Sequence, residues 1–145
     1  MNTDRLTAAW WALRVGLGGA AFLAGLDKFF NLLADWPSYL SPLAAHVLPF
    51  GAAAFMHVVG VIEMVVGLVI LGGLTQLGGY VAAAWLVAIA VNLVTTGHYF
   101  DVAVRDVEMA IAAFTLARLT EAGVGATVTE PLGGMPRNSI RTVAS

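Results

Sequence analysis

The chain has 145 residues, 59% of them hydrophobic and 11% charged, with a formal net charge of −2 and no cysteine. A soluble domain carries about 25% charged residues, so the composition points to a membrane protein, and the slight negative charge excludes a nucleic-acid partner, which needs clustered cations. The missing thiols exclude disulfides, thiol redox chemistry and zinc–thiolate or iron–sulfur ligation on this chain.

In chain order, the sequence predicts four helices, each near the roughly 20 residues that a bilayer requires. The first spans about residues 7–33. Its apolar run is longer than the core of a signal peptide and contains charges, so it reads as a retained membrane helix. A loop follows, "ADWPSYLSPLAAHVLPF", broken by Pro37, Pro42 and Pro49, with part of it expected along the membrane interface. The second helix covers about residues 51–74, the third 79–96 and the fourth 101–122. Between Met64 and Phe100 there is no Asp, Glu, Lys or Arg, which fits two membrane crossings. Residues 123–145, rich in Gly, Thr, Ser and Pro, cannot bury a core and read as a flexible cytoplasmic tail unless a partner orders them. The fold class expected is therefore all-α, an integral membrane four-helix bundle over residues 1–122.

Cations give the orientation. With both termini cytoplasmic, that side holds Arg5, Arg14, Arg118, Arg137 and Arg141, against Lys28 and Arg105 on the other. The positive-inside rule favours this arrangement. Trp10, Trp11 and Tyr80 then fall at the inner interface, and Trp36, Tyr39 and Tyr99 at the outer one.

The charges inside the apolar segments carry the functional question. On the first helix Arg14, Gly18, Ala21, Gly25 and Lys28 fall in one stripe about 80° wide, with the two cations about 21 Å apart along the axis. On the second, Met56, Gly60, Glu63, Gly67 and Ile70 form a similar strip, placing Glu63 about 20 Å from that helix's outer end. Small residues permit close helix packing in lipid. A lone carboxylate at that depth must be protonated, hydrated or paired. Arg14 from below and Lys28 from above are both candidate partners. One reading is a structural ion pair that locks the bundle; the other is a charge lining a ligand or proton pocket. Asp27 lies about 100° from Lys28 and reads as a peripheral, solvated aspartate.

A second polar layer lies nearer the outside, with Lys28 about 8–9 Å below the end of the first helix. His57, Asn92, Arg105 and Asp106 fall at similar depth, so every helix offers a polar group there. Asp101, Arg105 and Glu108 share a face at spacings that favour local ion pairs, with a solvated rim as the plainer reading. His46, His57 and His98 match no metal-binding spacing, so no metal site is expected.

Three segments carry a resemblance. "LRVGLGGAAFLAGLDKFF" resembles the first helix of the DoxX family, with Arg14, Gly18, Gly25 and Lys28 in the family's Arg, Gly and Gly-x-x-Lys places. "VVGVIEMVVGLVILGG" resembles its second helix, with Glu63 and Gly67 as the Glu-x-x-x-Gly element. "NLVTTGHYFDVAVRDVEMAIAAFTLARL" resembles the junction before its last helix, where Arg105 and Asp106 match an Arg-Asp pair. The resemblance covers about residues 9–120. It implies a four-helix protein of the bacterial or archaeal plasma membrane, associated with redox complexes. Relatives include a small subunit of a thiosulfate:quinone oxidoreductase. The absence of cysteine argues against a sulfur relay here.

On that basis the first hypothesis is an accessory subunit of a quinone-linked membrane oxidoreductase. Lys28 and Arg105 would meet a quinone carbonyl, and Glu63 with His57 would handle protons. The lipid bilayer and either further subunits or a second copy of the chain are the expected partners. A structural or assembly anchor for a soluble partner, and a small transporter or channel subunit, stay open as alternatives.

Overall fold

The computed structural model describes residues 3–126, and the tail expectation for residues beyond 126 lies outside them. The described residues form helices and no strand. In order these are α1 (Thr3–Asp27), a 3-10 helix (Trp36–Tyr39), a short α2 (Pro42–Val47), α3 (Ala52–Leu71), α4 (Thr75–Thr95) and α5 (Phe100–Glu121). Three of them, Asp4–Asp27 within α1, α3 and α4, are long and apolar enough to cross a membrane. The chain is a membrane protein by that measure. Helix α5 is as long, but Asp101, Arg105, Asp106 and Glu108 crowd its first turns.

The long helices run antiparallel in two intimate pairs, α1 with α3 and α4 with α5, and the pairs join through α3–α4 and α1–α5 contacts. The predicted small-residue strips of α1 and α3 face each other. A Cβ built on Gly25 would lie 2.5 Å from the Gly60 carbonyl oxygen, one on Gly60 2.6 Å from the Gly25 carbonyl, and one on Gly67 2.6 Å from the Gly18 carbonyl. Backbone touches backbone, the close approach that small residues allow between helices in lipid. In the second pair Gly79 meets the Ala113 carbonyl and Ala117 in the same manner.

At the end of the molecule that holds the start of α1, side chains from all four long helices fill the centre. Trp10, Val66, Ile70, Ala82, Ala113 and Leu116 form one buried cluster. Trp10 belongs to this core, donating from Nε1 to Thr120 Oγ1 at 2.7 Å, whereas Trp11 beside it is exposed. Around the outside, Val15, Leu23, Val58, Val61, Val65, Leu68, Val87, Val91, Ile111 and Phe114 are exposed. An apolar exterior of this kind fits contact with lipid, the reverse of a soluble surface.

The opposite end is built by the 28–51 connection, and here the helix boundary differs from expectation. Helix α1 stops at Asp27, not Leu33. Asn31 adopts a left-handed conformation (φ 52°) and its N–H donates to the Asp27 carbonyl at 2.7 Å, a helix stop that Asn tolerates better than most residues. The apolar residues after it continue the hydrophobic run but not the helix. Ser41 caps α2 by accepting from the Ala44 N–H at 3.1 Å, with Pro42 in the first turn, as the capping rules favour. The α3–α4 turn at the other end needs Gly73, whose φ is +112°.

The glycine contacts give a direct test. Gly25→Ala should destabilise the protein by about 1–3 kcal/mol through overpacking, lowering the thermal unfolding midpoint in detergent. Gly16→Ala, whose added Cβ meets nothing within 4 Å, should be neutral or slightly stabilising.

Candidate functional site

The facing glycine strips determine what lies beside them. With Gly25 against Gly60, the next residue of the α1 strip, Lys28, arrives level with Gly60: a Cβ on Gly60 would lie 3.1 Å from the Lys28 Cβ. Lys28 follows the last residue of α1, so it sits at the helix end and not the 8–9 Å below it that a longer helix implied. Its side chain runs inward along α3 by one turn and its Nζ donates to Glu63 Oε2 at 2.5 Å, with side-chain exposures of 4% and 11%. Glu63 is thus paired with Lys28. Arg14 is not its partner. The Arg14 guanidinium donates to the carbonyls of Ile70 at 3.1 Å and Leu71 at 2.6 Å, at the last turn of α3, and lies 5.0 and 4.9 Å from the Trp10 and Trp11 ring centres. A cation there complements the C-terminal end of the helix dipole.

Asp27 differs from the sequence reading. It is buried, not peripheral. Its carboxylate accepts from the Leu32 N–H at 3.0 Å, the Leu33 N–H at 2.9 Å and Trp36 Nε1 at 2.8 Å. These bonds fold the chain back after α1 and bring the Trp36 ring over Lys28, with Nζ 3.8 Å from the ring centre. The cation therefore has a carboxylate and an aromatic face as neighbours, an arrangement that stabilises an ammonium away from water.

Above the buried cluster the two helix pairs enclose a cavity of about 610 Å³. Val66 and Ala82 belong to both the cluster and the cavity wall, so the packed end is the floor. Small side chains of α1 (Ala20, Ala21, Ala24) and apolar ones of α3 and α4 (Met56, Val59, Leu86, Ile89) make most of the wall. The polar contributions are few: Lys28, Glu63, Asn92, Arg105, Asp106 and the rings of Trp36, Tyr39 and Trp85. Ligand sites commonly occupy about 300–1,000 Å³, mostly apolar with a few convergent polar groups.

The predicted polar layer is thus partly assembled. Asn92 faces the cavity but is spent on structure: Nδ2 donates to the Tyr39 carbonyl at 2.7 Å and Oδ1 accepts from the Ser41 N–H at 3.1 Å, tying the loop to α4. Arg105 is largely exposed, 3.9 Å from Asp101 Oδ2, a surface pair of little energetic weight. Asp106 is half-buried, lines the cavity and stands in electrostatic reach of Lys28 and Glu63. His57 is not part of the site. It is exposed on the outside of α3, its ring stacked on Phe29 at 4.8 Å between centres. It lies about 100° around the helix from Met56 and about 60° from Gly60, so it shares the depth of the strip but not its buried face. Glu108 is likewise exposed.

Trp36 and Trp85 are the site residues that the charge pattern did not reveal. Trp85 carried a signal: tryptophan prefers membrane interfaces, and this one lies amid the small and aliphatic residues of "AAAWLVAIA". Its buried Nε1 lies near Glu63 without a well-formed hydrogen bond to any described residue.

Compared with protein-family models, curated proteins and solved structures, the chain matches none. The DoxX resemblance therefore rests on the three motifs alone.

Breaking the buried pair from one side should be costly. Lys28→Met leaves Glu63 without its partner and is expected to lose about 3–5 kcal/mol of stability. Adding Glu63→Gln removes the stranded charge and should recover most of that loss. Thermal unfolding of the single and double variants in detergent measures both.

Proposed function

We propose that this chain is a four-helix integral membrane subunit of a bacterial or archaeal plasma-membrane redox complex, and that it holds a quinone headgroup in the cavity between its helix pairs. The single observation that carries the ligand reading is the cavity itself. Its size suits a substituted ring, its wall is apolar, and its polar groups converge on one side. Lys28 uses one of its three N–H groups on Glu63, leaving the others for a carbonyl oxygen. Glu63 and Asp106 are the carboxylates available to exchange protons with a bound ring.

The fourth crossing is part of the same proposal. Helix α5 exposes Val104, Val107, Ile111 and Phe114, an outward apolar face, and gathers its charges near the loop end. Both termini on the cytoplasmic side agrees with the cation distribution. The native chain has no cysteine, so labelling is clean: with an impermeant maleimide on intact cells, Ser38→Cys should react and Asp4→Cys should not. The reverse pattern overturns the orientation.

A purely structural anchor shares one feature with this proposal, the direct Lys28–Glu63 pair. The two readings part at the cavity, for which an anchor has no use. The full chain, purified from native membrane, should carry quinone in its lipid extract, and decylubiquinone should quench tryptophan fluorescence saturably through Trp36 and Trp85. A quinone-free extract together with no saturable quenching would sink the ligand reading.

A further inference from the structure

The polar groups of the cavity differ in whether their hydrogen-bonding capacity is already used. Asn92 is committed to the loop, and Glu63 to Lys28. The Trp36 N–H is committed to Asp27. Tyr39 carries a hydroxyl, which donates or accepts and so does not discriminate. Lys28 keeps N–H groups to spare, and Arg105 is largely exposed. Two further groups of the wall are left with unused capacity of one kind. The Trp85 indole N–H, a donor only, lies near Glu63 but forms no well-formed hydrogen bond among the described residues. The Asp106 carboxylate, an acceptor when ionised, lines the cavity and has no hydrogen bond or ion pair with any described residue.

A weakly engaged donor and an empty acceptor on one cavity define a complementary ligand. It needs an oxygen that accepts and a hydroxyl that donates. An oxidised quinone has only acceptor oxygens; set against the ionised form of Asp106, its carbonyl would face a carboxylate with no proton between them. The reduced ring carries hydroxyls that serve both ends. We propose that the cavity selects the reduced, hydroxyl-bearing form of its ring ligand, with Asp106 receiving the ring O–H and the Trp85 N–H bound to a ring oxygen. This rests on the quinone-site reading above and specifies which member of the redox pair is held. It assigns Asp106 a specificity role that the more exposed Arg105 beside it does not share.

The physical basis is the asymmetry of hydrogen-bond costs. A hydroxyl donating to a carboxylate forms a charge-assisted bond, stronger than a neutral one. A ligand lacking that hydroxyl must desolvate the carboxylate without replacing the lost water. Sites built around a ligand hydroxyl reject analogues without it for this reason.

The test avoids oxidation of the probe during measurement. A medium-chain 4-alkylphenol and its methyl ether share ring, oxygen acceptor and tail, and differ in the O–H. Both are titrated against the full chain in lipid nanodiscs, read by tryptophan quenching, beside decylubiquinone. The phenol should bind roughly tenfold or more tightly than the ether, the effect of a hydrogen bond to a charged group. Asp106→Leu should remove most of that preference, by weakening phenol binding and, with no carboxylate left to desolvate, strengthening ether binding. Trp85→Phe should weaken phenol and ether alike, because both keep an acceptor oxygen, with Trp36 left to report. Equal binding of phenol and ether, or a preference unchanged in Asp106→Leu, overturns this inference and leaves the quinone reading standing if decylubiquinone still binds. Failure of all three probes to bind overturns both.

Discussion

The contact of the α1 backbone with the α3 backbone sets the register of everything around it. Gly18 and Gly25 lie against Gly67 and Gly60 so closely that no Cβ fits between. In lipid there is no hydrophobic force between helices, and packing of this intimacy is a main source of association. Because the contact recurs two turns apart on both helices, neither can slide or rotate without a clash. Lys28 is then carried to Glu63, and Arg14 to the last turn of α3, by the same register. The ion pair and the helix cap follow from the glycines and do not create the fit.

Burial of the pair has a further requirement. A carboxylate and an ammonium taken from water lose several kcal/mol of hydration each, and mutual attraction repays this only with good geometry and extra contacts. Those contacts come from Asp27, outside the pair. By accepting three hydrogen bonds from the following loop, it turns the chain and lays Trp36 on Lys28. One buried aspartate thus shapes the loop and completes the surroundings of a neighbouring cation, although it does not touch that cation's partner. Opening the loop would uncover Lys28, so loop order and charge burial are one cooperative unit.

The periodic part of this arrangement was legible in the sequence. Glycine, lysine and glutamate at helical spacing named two strips, and the strips do face each other. Position along the axis was less reliable than angle around it. His57 shares the depth of the pocket but turns outward, and the first helix ends at Asn31's left-handed turn while its hydrophobicity continues. The place of Asp27 near a helix end suggests solvation, whereas its burial depends on a loop whose path only the three-dimensional fold supplies. Trp36 and Trp85 come from segments without charge patterning, and nothing periodic links them to Lys28 or Glu63. Polar satisfaction, the property that distinguishes Asn92 from Asp106, has no sequence signal at all.

The cavity is closed below by Trp10, Ile70, Leu116 and their neighbours, one cluster to which every long helix contributes. That floor makes the space a blind chamber. A molecule that enters from the loop end or between the helices has no route onward through the far end and must leave the way it came. For the proposed ligand, access would be from the loop end or sideways from the bilayer, and the packed end would contribute none. A chamber of this kind can store, present or sense a molecule. To conduct one, it would first have to unpack its own core.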